Sequence, residues 1–189
     1  MRLILLGAPG AGKGTQSQQI CQTLGLCSIS TGDLLRSQIK QKTDLGKQIR
    51  VFVDEGELVP DEIVLELIRQ RLLKQDLVHG WLLEGYPRTP VQAEEFDALL
   101  AQLNQALDYA VLLDVPVEVL LGRSLNPARQ DAQPEALQKR IEIFRDRTSP
   151  LLEYYNRQNR LITVDGNQAI GEVREDILKK VGITEENEG

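Results

Sequence analysis

The sequence predicts an α/β protein of three layers, with helices on both faces of a five-stranded parallel sheet. Two observations carry that expectation. Short apolar runs alternate with longer stretches of helical periodicity, which is the pattern of strands covered by crossover helices. A glycine-rich turn follows the first apolar run directly and leads into a helical stretch.

Five runs serve as the strands: Leu3-Ile4-Leu5-Leu6, Cys27-Ser28-Ile29-Ser30, Trp81-Leu82-Leu83, Tyr109-Ala110-Val111-Leu112-Leu113 and Leu161-Ile162-Thr163-Val164. A helix over 15–24 ends at Gly25, because glycine takes the left-handed conformation that closes helices. Asp61 is the expected N-cap of a helix over 62–74, and another helix fits 91–103. The stretch 116–123 reads as a helix start. Asn126-Pro127 interrupts the pattern, and a long helix follows from 134 to about 156. Residues 185–189 form an acidic tail without an apolar stripe. Internal repeats and low-complexity tracts are missing from the sequence.

A chain of 189 residues suits one domain with small inserts, and 41% hydrophobic residues are enough to build its core. The net charge of −6 argues against nucleic acid or an anionic membrane as a partner. Only four apolar residues follow Arg2 before the glycines, too few for a secretory or membrane segment, so the expected location is the cytoplasm. Cys21 and Cys27 lack metal-ligand spacing; a reduced, buried pair is expected, with no structural zinc. Between Arg123 and Arg160, eight Lys and Arg stand against five acids, an excess that suits a small polyanion or a solvated helix face equally.

The first turn reads Gly7-Ala8-Pro9-Gly10-Ala11-Gly12-Lys13-Gly14-Thr15. Small residues between a strand and a helix let successive backbone N–H groups face a phosphate, and the helix adds its dipole. Lys13 supplies a mobile cation for the β- and γ-phosphates. The common pattern has Ser or Thr directly after the lysine as a magnesium ligand. Gly14 stands there instead, with Thr15 one place later, so magnesium would rest on phosphates and water.

This nonapeptide, and Gly7 to Gln16 as a whole, resembles the phosphate loop of nucleoside monophosphate kinases, and of adenylate kinases in particular. The resemblance extends over about residues 1–180, with four motifs in the family's order. It implies a P-loop fold and Mg2+-dependent transfer, ATP + AMP = 2 ADP, serving nucleotide homeostasis. In it, Gly10, Ala11, Gly12, Lys13, Gly14 and Thr15 bind ATP. Ser30-Thr31-Gly32-Asp33-Leu34-Leu35-Arg36 resembles the opening of the AMP-binding insert, taken as 30–59. The resemblance puts Thr31 at adenine and Arg36 at the α-phosphate; UMP and CMP kinases tend to carry Ala at the Thr31 position. Glu57, Leu58 and Val59 resemble the segment that lines the AMP base. Gly85-Tyr86-Pro87-Arg88-Thr89, with Gln92 beyond, resembles the loop whose arginine holds AMP phosphate and whose glutamine pairs with adenine. A forked guanidinium suits phosphate oxygens better than an ammonium does.

Arg123 resembles the residue that stacks on the ATP adenine, and Arg129 and Arg140 resemble the lid and hinge arginines that clamp the phosphates of both nucleotides. Lys13, Arg88, Arg129 and Arg140 are therefore the expected catalytic cations. Asp165-Gly166-Asn167-Gln168 resembles the turn under the ATP base, where the Gln168 carbonyl accepts from the adenine amino group.

Four departures from the family pattern stand out. Glu84 occupies the place of the usual aspartate that holds magnesium's water ligands, with Asp114 as the competing acid at a strand end. The lid, 124–134, is shorter than the compact zinc-free form. Pro127 stands where a further phosphate-binding arginine is expected, and Asp131-Ala132 replaces paired aspartates. A shorter lid excludes water less well, so reduced but real turnover is expected from a monomer acting on ATP, AMP and ADP. The sequence leaves open a kinase for UMP or CMP, and a P-loop binder that has lost transfer.

Overall fold

In the computed structural model, which describes residues 1–54, 59–124 and 134–183, all five expected strands form one parallel sheet. The chain runs β1 (Arg2–Gly7), α1 (Lys13–Leu24), β2 (Cys27–Ser30), α2 (Thr31–Gln41), α3 (Asp44–Asp54), α4 (Asp61–Leu72), β3 (Trp81–Glu84), α5 (Pro90–Gln102), β4 (Tyr109–Asp114), α6 (Val117–Ser124), α7 (Pro134–Arg157), β5 (Leu161–Asp165) and α8 (Ile170–Lys180). The strand order is β2-β3-β1-β4-β5, so β1 is central and the chain passes from one side of it to the other after β3. Ligands of such sheets gather at the carboxyl ends of the strands where the order reverses.

Side-chain alternation explains the two covered faces. Ile4 and Leu6 of β1, Trp81 and Leu83 of β3, and Ala110 and Leu112 of β4 enter one apolar cluster, where α4, α5 and α7 supply Ile68, Phe96 and Tyr155. Leu3, Leu5, Leu82, Val111 and Leu113 enter the opposite cluster, where α1 and α8 supply Ile20 and Ile177. Full burial of one such side chain is worth about 1.5–3 kcal/mol. Leu3, Ile4 and Leu5 are all essentially inaccessible, so β1 is firmly anchored and the loop that leaves it starts from a rigid base.

Several local expectations are corrected. α1 begins at Lys13 rather than at 15, with Gly12 in the left-handed conformation (φ 92°) at its N-cap; Gly25 closes it as expected (φ 63°). Asp61 is the first residue of α4 and not its cap; the cap position is Pro60, which offers no side-chain acceptor. Ser30 caps α2, its hydroxyl accepting from the Asp33 N–H at 3.3 Å. Cys21 and Cys27 are free, but half-buried rather than buried. α8 was not foreseen, although Val173 and Ile177, four residues apart, form its buried stripe, continued by Val181 at its C-cap.

In the segment 30–59, α2 and α3 approach closely: a Cβ at Gly46 would lie 2.0 Å from the Gln38 carbonyl oxygen. Among the described residues, no helix is long and apolar enough to cross a membrane.

Candidate active site

The loop after β1 is folded by its own backbone. Ala11 N–H donates to Ala8 O at 3.1 Å, and Gly12 opens α1 without a side-chain cap and without an acid in the first turn. The first-turn amides therefore keep their partial positive charge, which is what an anion needs from a helix start. Lys13 Nζ donates to Gly7 O at 2.7 Å and Ala8 O at 3.0 Å, so its ammonium lies back across the loop. Gly10, Ala11 and Gly12 lie in the loop itself, and Lys13, Gly14 and Thr15 form the first turn of α1.

A second group forms where β2 and β3 end side by side, with Ser30 in register with Glu84. Thr31, 5% exposed, donates its hydroxyl to Glu84 O at 3.3 Å. Gly85 follows with φ 90°, and a Cβ there would sit 2.2 Å from Thr31 Oγ1. Any side chain at that position forces Thr31 to shift. Arg88 Nε donates to Gly85 O at 2.8 Å, and Arg88 N–H donates to Gln92 Oε1 at 2.6 Å. Gln92 is buried in the first turn of α5, which the Thr89 hydroxyl caps by accepting the Gln92 N–H at 3.3 Å. The structure thus links Thr31, Gly85, Arg88 and Gln92 through short contacts. The Gln92 oxygen is thus committed to the loop, and among the described residues its amide nitrogen donates to no side chain or carbonyl.

Arg36 pairs with Asp33 within α2, and its guanidinium holds the Asp33 carboxyl below the usual carboxylate range. Both side chains are 72% exposed, so the pair is weak and Arg36 can change partners. Val59 is half-buried just before α4. Glu57 and Leu58 lie outside the described residues, as do Arg129 and 125–133 of the expected lid. Arg140 belongs to α7, with its side chain outside the description.

A third group sits at the end of β5. Asn167 N–H donates to Asp165 Oδ1 at 2.8 Å, and Gly166 N–H to Asp114 O at 2.7 Å, so the turn after β5 is tied to the end of β4. Gln168 Nε2 donates to Asp165 O at 3.0 Å and to Asp176 Oδ2 at 2.9 Å. Arg123, at the end of α6, donates from Nη1 to Gly166 O at 3.1 Å. Arg123 and Gln168 are therefore brought together, with Asp176 as a support that no sequence motif signals.

Glu84 is half-buried at the carboxyl end of β3, in register with Leu5 of β1. Among the described residues, no three His, Cys, Asp or Glu converge as a metal cluster.

Comparison with known proteins agrees with this arrangement. The family model for adenylate kinase matches residues 5–160. Adenylate kinase 2 of a Nostoc species is 50% identical over 184 residues, covering 97% of this chain and 100% of that protein. Adenylate kinase of a Cyanothece species is 46% identical over 176 residues, covering 91% of this chain and 90% of the relative. Adenylate kinase of Stenotrophomonas maltophilia is 42% identical over 185 residues, covering 96% and 99%. A parallel five-stranded sheet, a phosphate-type loop at its centre and matches of this length establish that the chain belongs to the adenylate kinase family, the phosphotransferases that interconvert ATP + AMP and 2 ADP.

Proposed function

We propose that this chain carries out ATP + AMP = 2 ADP with the nucleotides end to end along the carboxyl edge of the sheet. The observation that carries the reading is the linear order of three groups: Thr31, Gly85 and Arg88 at β2 and β3, the glycine-rich loop at β1, and the Gly166 turn at β5. At about 4.8 Å per strand, the turn lies roughly 10 Å to one side of β1 and the Thr31 group roughly 5–10 Å to the other. That span suits two nucleotides meeting over the loop.

The ATP phosphates then rest on the amides of Gly10, Ala11, Gly12, Gly14 and Thr15 and on Lys13, with the base between Arg123 and the Gln168 carbonyl. AMP lies against Thr31, Val59, Gly85 and Gln92, with Glu57 and Leu58 completing its wall and Arg36 and Arg88 on its phosphate. An α-phosphate oxygen of AMP attacks the γ-phosphorus of ATP, and the bond to the β–γ bridging oxygen breaks, leaving two ADP. The charge of the moving group is spread over its oxygens, so positioned cations supply the catalysis, here Lys13, Arg88, Arg129 and Arg140. Magnesium, when bound to ATP, neutralises β- and γ-oxygens. A lone carboxylate at Glu84, with no converging cluster among the described residues, fits an ion held mainly by phosphates and water.

The segments 30–59 and 124–134 act on this reading as AMP-binding insert and short lid on a single core, 1–189, and the short lid lowers turnover. One chain supplies every group named, which supports a monomer. Its charge of −6 argues against nucleic acid or an anionic membrane as a partner. The test is an ADP-coupled assay with ATP, AMP and magnesium, run with UMP and CMP as rival acceptors. ADP from AMP is expected. Saturable binding of both nucleotides without ADP marks a pure binder, and a preference for UMP overturns the acceptor assignment.

A further inference from the structure

α1 and α8 are joined by a hydrogen bond that the nucleotide contacts do not account for. Gln16, in the first turns of α1, is 3% exposed and donates from Nε2 to Ile170 O at 2.9 Å. The orientation of the amide is set by chemistry, since a carbonyl can face only its NH2 group. Its Oε1 is buried with no hydrogen-bond partner among the described residues. A buried amide with an orphaned acceptor is a poor choice for packing alone, where an apolar side chain of the same length costs less. The donor is the part that the structure uses.

Ile170 is the first residue of α8 and follows the Asp165–Gln168 turn directly. That turn is fastened to α8 by Gln168 and Asp176 and to α6 by Arg123. Gln16 lies three positions beyond Lys13 on the helix that the phosphate loop opens. One hydrogen bond thus ties the helix of the loop to the first residue of α8, beside the apolar packing of Ile20 and Ile177. We propose that Gln16 is a positioning residue: it sets the spacing between phosphate loop and base turn, and with it the affinity and base preference for the nucleoside triphosphate. The proposal rests on the reading that this turn receives the ATP base. Thr31 and Gln92 of the acceptor group take their hydrogen bonds at the ends of β2 and β3 and the start of α5, with Glu84, Arg88 and Thr89.

Gln16→Met keeps the length and removes the donor; Gln16→Glu turns a carboxylate oxygen toward Ile170 O. The expected result is a KM for ATP raised about 5- to 10-fold, the worth of one buried hydrogen bond, and a falling preference for ATP over GTP. The KM for AMP and kcat at saturating ATP stay within about twofold, because neither reports the distance between loop and turn. In Gln16→Glu the KM for ATP returns toward the wild-type value as pH falls, since a protonated carboxyl again donates to Ile170 O. Unchanged KM for ATP in both variants overturns the proposal, as does a joint rise of both KM values with a lowered Tm. Photolabelling of the unaltered protein with 8-azido-ATP separates the two levels. Label in 165–170 with unchanged variant kinetics defeats Gln16 alone, whereas label elsewhere defeats the base-turn reading beneath it.

Discussion

Gly85→Ala is the sharpest test of the acceptor group. The new Cβ would lie 2.2 Å from Thr31 Oγ1, whereas ordinary contact begins at 3.4 Å, so roughly an ångström of separation has to be found. Thr31 is β-branched and 5% exposed, which leaves its hydroxyl no free rotamer to escape into. The backbone adds a second cost, because φ at Gly85 is 90° and an L side chain in left-handed space costs about 1–2 kcal/mol. Losing the hydrogen bond from Thr31 to Glu84 O adds about 1 kcal/mol. The sum, about 2–3 kcal/mol, lowers Tm by roughly 4–12 °C for a chain of this size. Displacing Thr31 by about 1 Å raises the KM for AMP by up to about 100-fold and leaves the KM for ATP nearly unchanged. Steady-state kinetics with each substrate varied, together with thermal melts, read both effects. Thr31→Ala in the same chain removes the clashing oxygen and should recover part of the lost stability. A Gly85→Ala protein with wild-type Tm and wild-type KM for AMP would refute the reasoning.

Lys13→Ala removes the cation across the phosphate loop and should lower kcat by about 10²- to 10³-fold with little change in Tm; single-turnover ADP formation checks it. Arg123→Ala loses the contact to Gly166 O and should raise the KM for ATP while sparing that for AMP. Asp97→Ala strips Arg160, paired at 2.5 Å, and the Tyr154 hydroxyl at 2.6 Å of their shared acceptor in a half-buried setting. It should cost about 2–3 kcal/mol of stability in denaturant melts with unaltered kinetics. Burial pushes the Cys21 thiol from an ordinary 9.0 up to about 11. Because the folded state keeps its proton longer than the unfolded one, that stabilisation is complete below pH 9 and is lost as pH rises to about 11. Cys21→Ala should flatten this alkaline loss in melts taken across the window.

Much of the site was legible because its signals are local. The glycine-rich segment lies between Gly7 and Thr15, and Arg88 and Gln92, singled out four positions apart, meet in the structure where α5 begins, one residue earlier than the helix expected from 91. The alternation of short apolar runs with helical stretches likewise foretold a parallel sheet covered on both faces. Lid and insert residues such as Arg129, Glu57 and Leu58 lie outside the described structure, so their roles rest on resemblance.

What short-range pattern could not supply were the contacts that depend on strand order. Thr31 reaches Glu84 only because β2 pairs with β3, and Arg123 meets Gly166 only because the turn after β5 is bound to the end of β4. Gln16 and Ile170 stand 154 positions apart and meet through the stacking of α1 on α8. Each chain segment carries its own periodicity and turn chemistry in its residues. Which segments become neighbours is decided by burial of the whole core, and no local stretch encodes that sum.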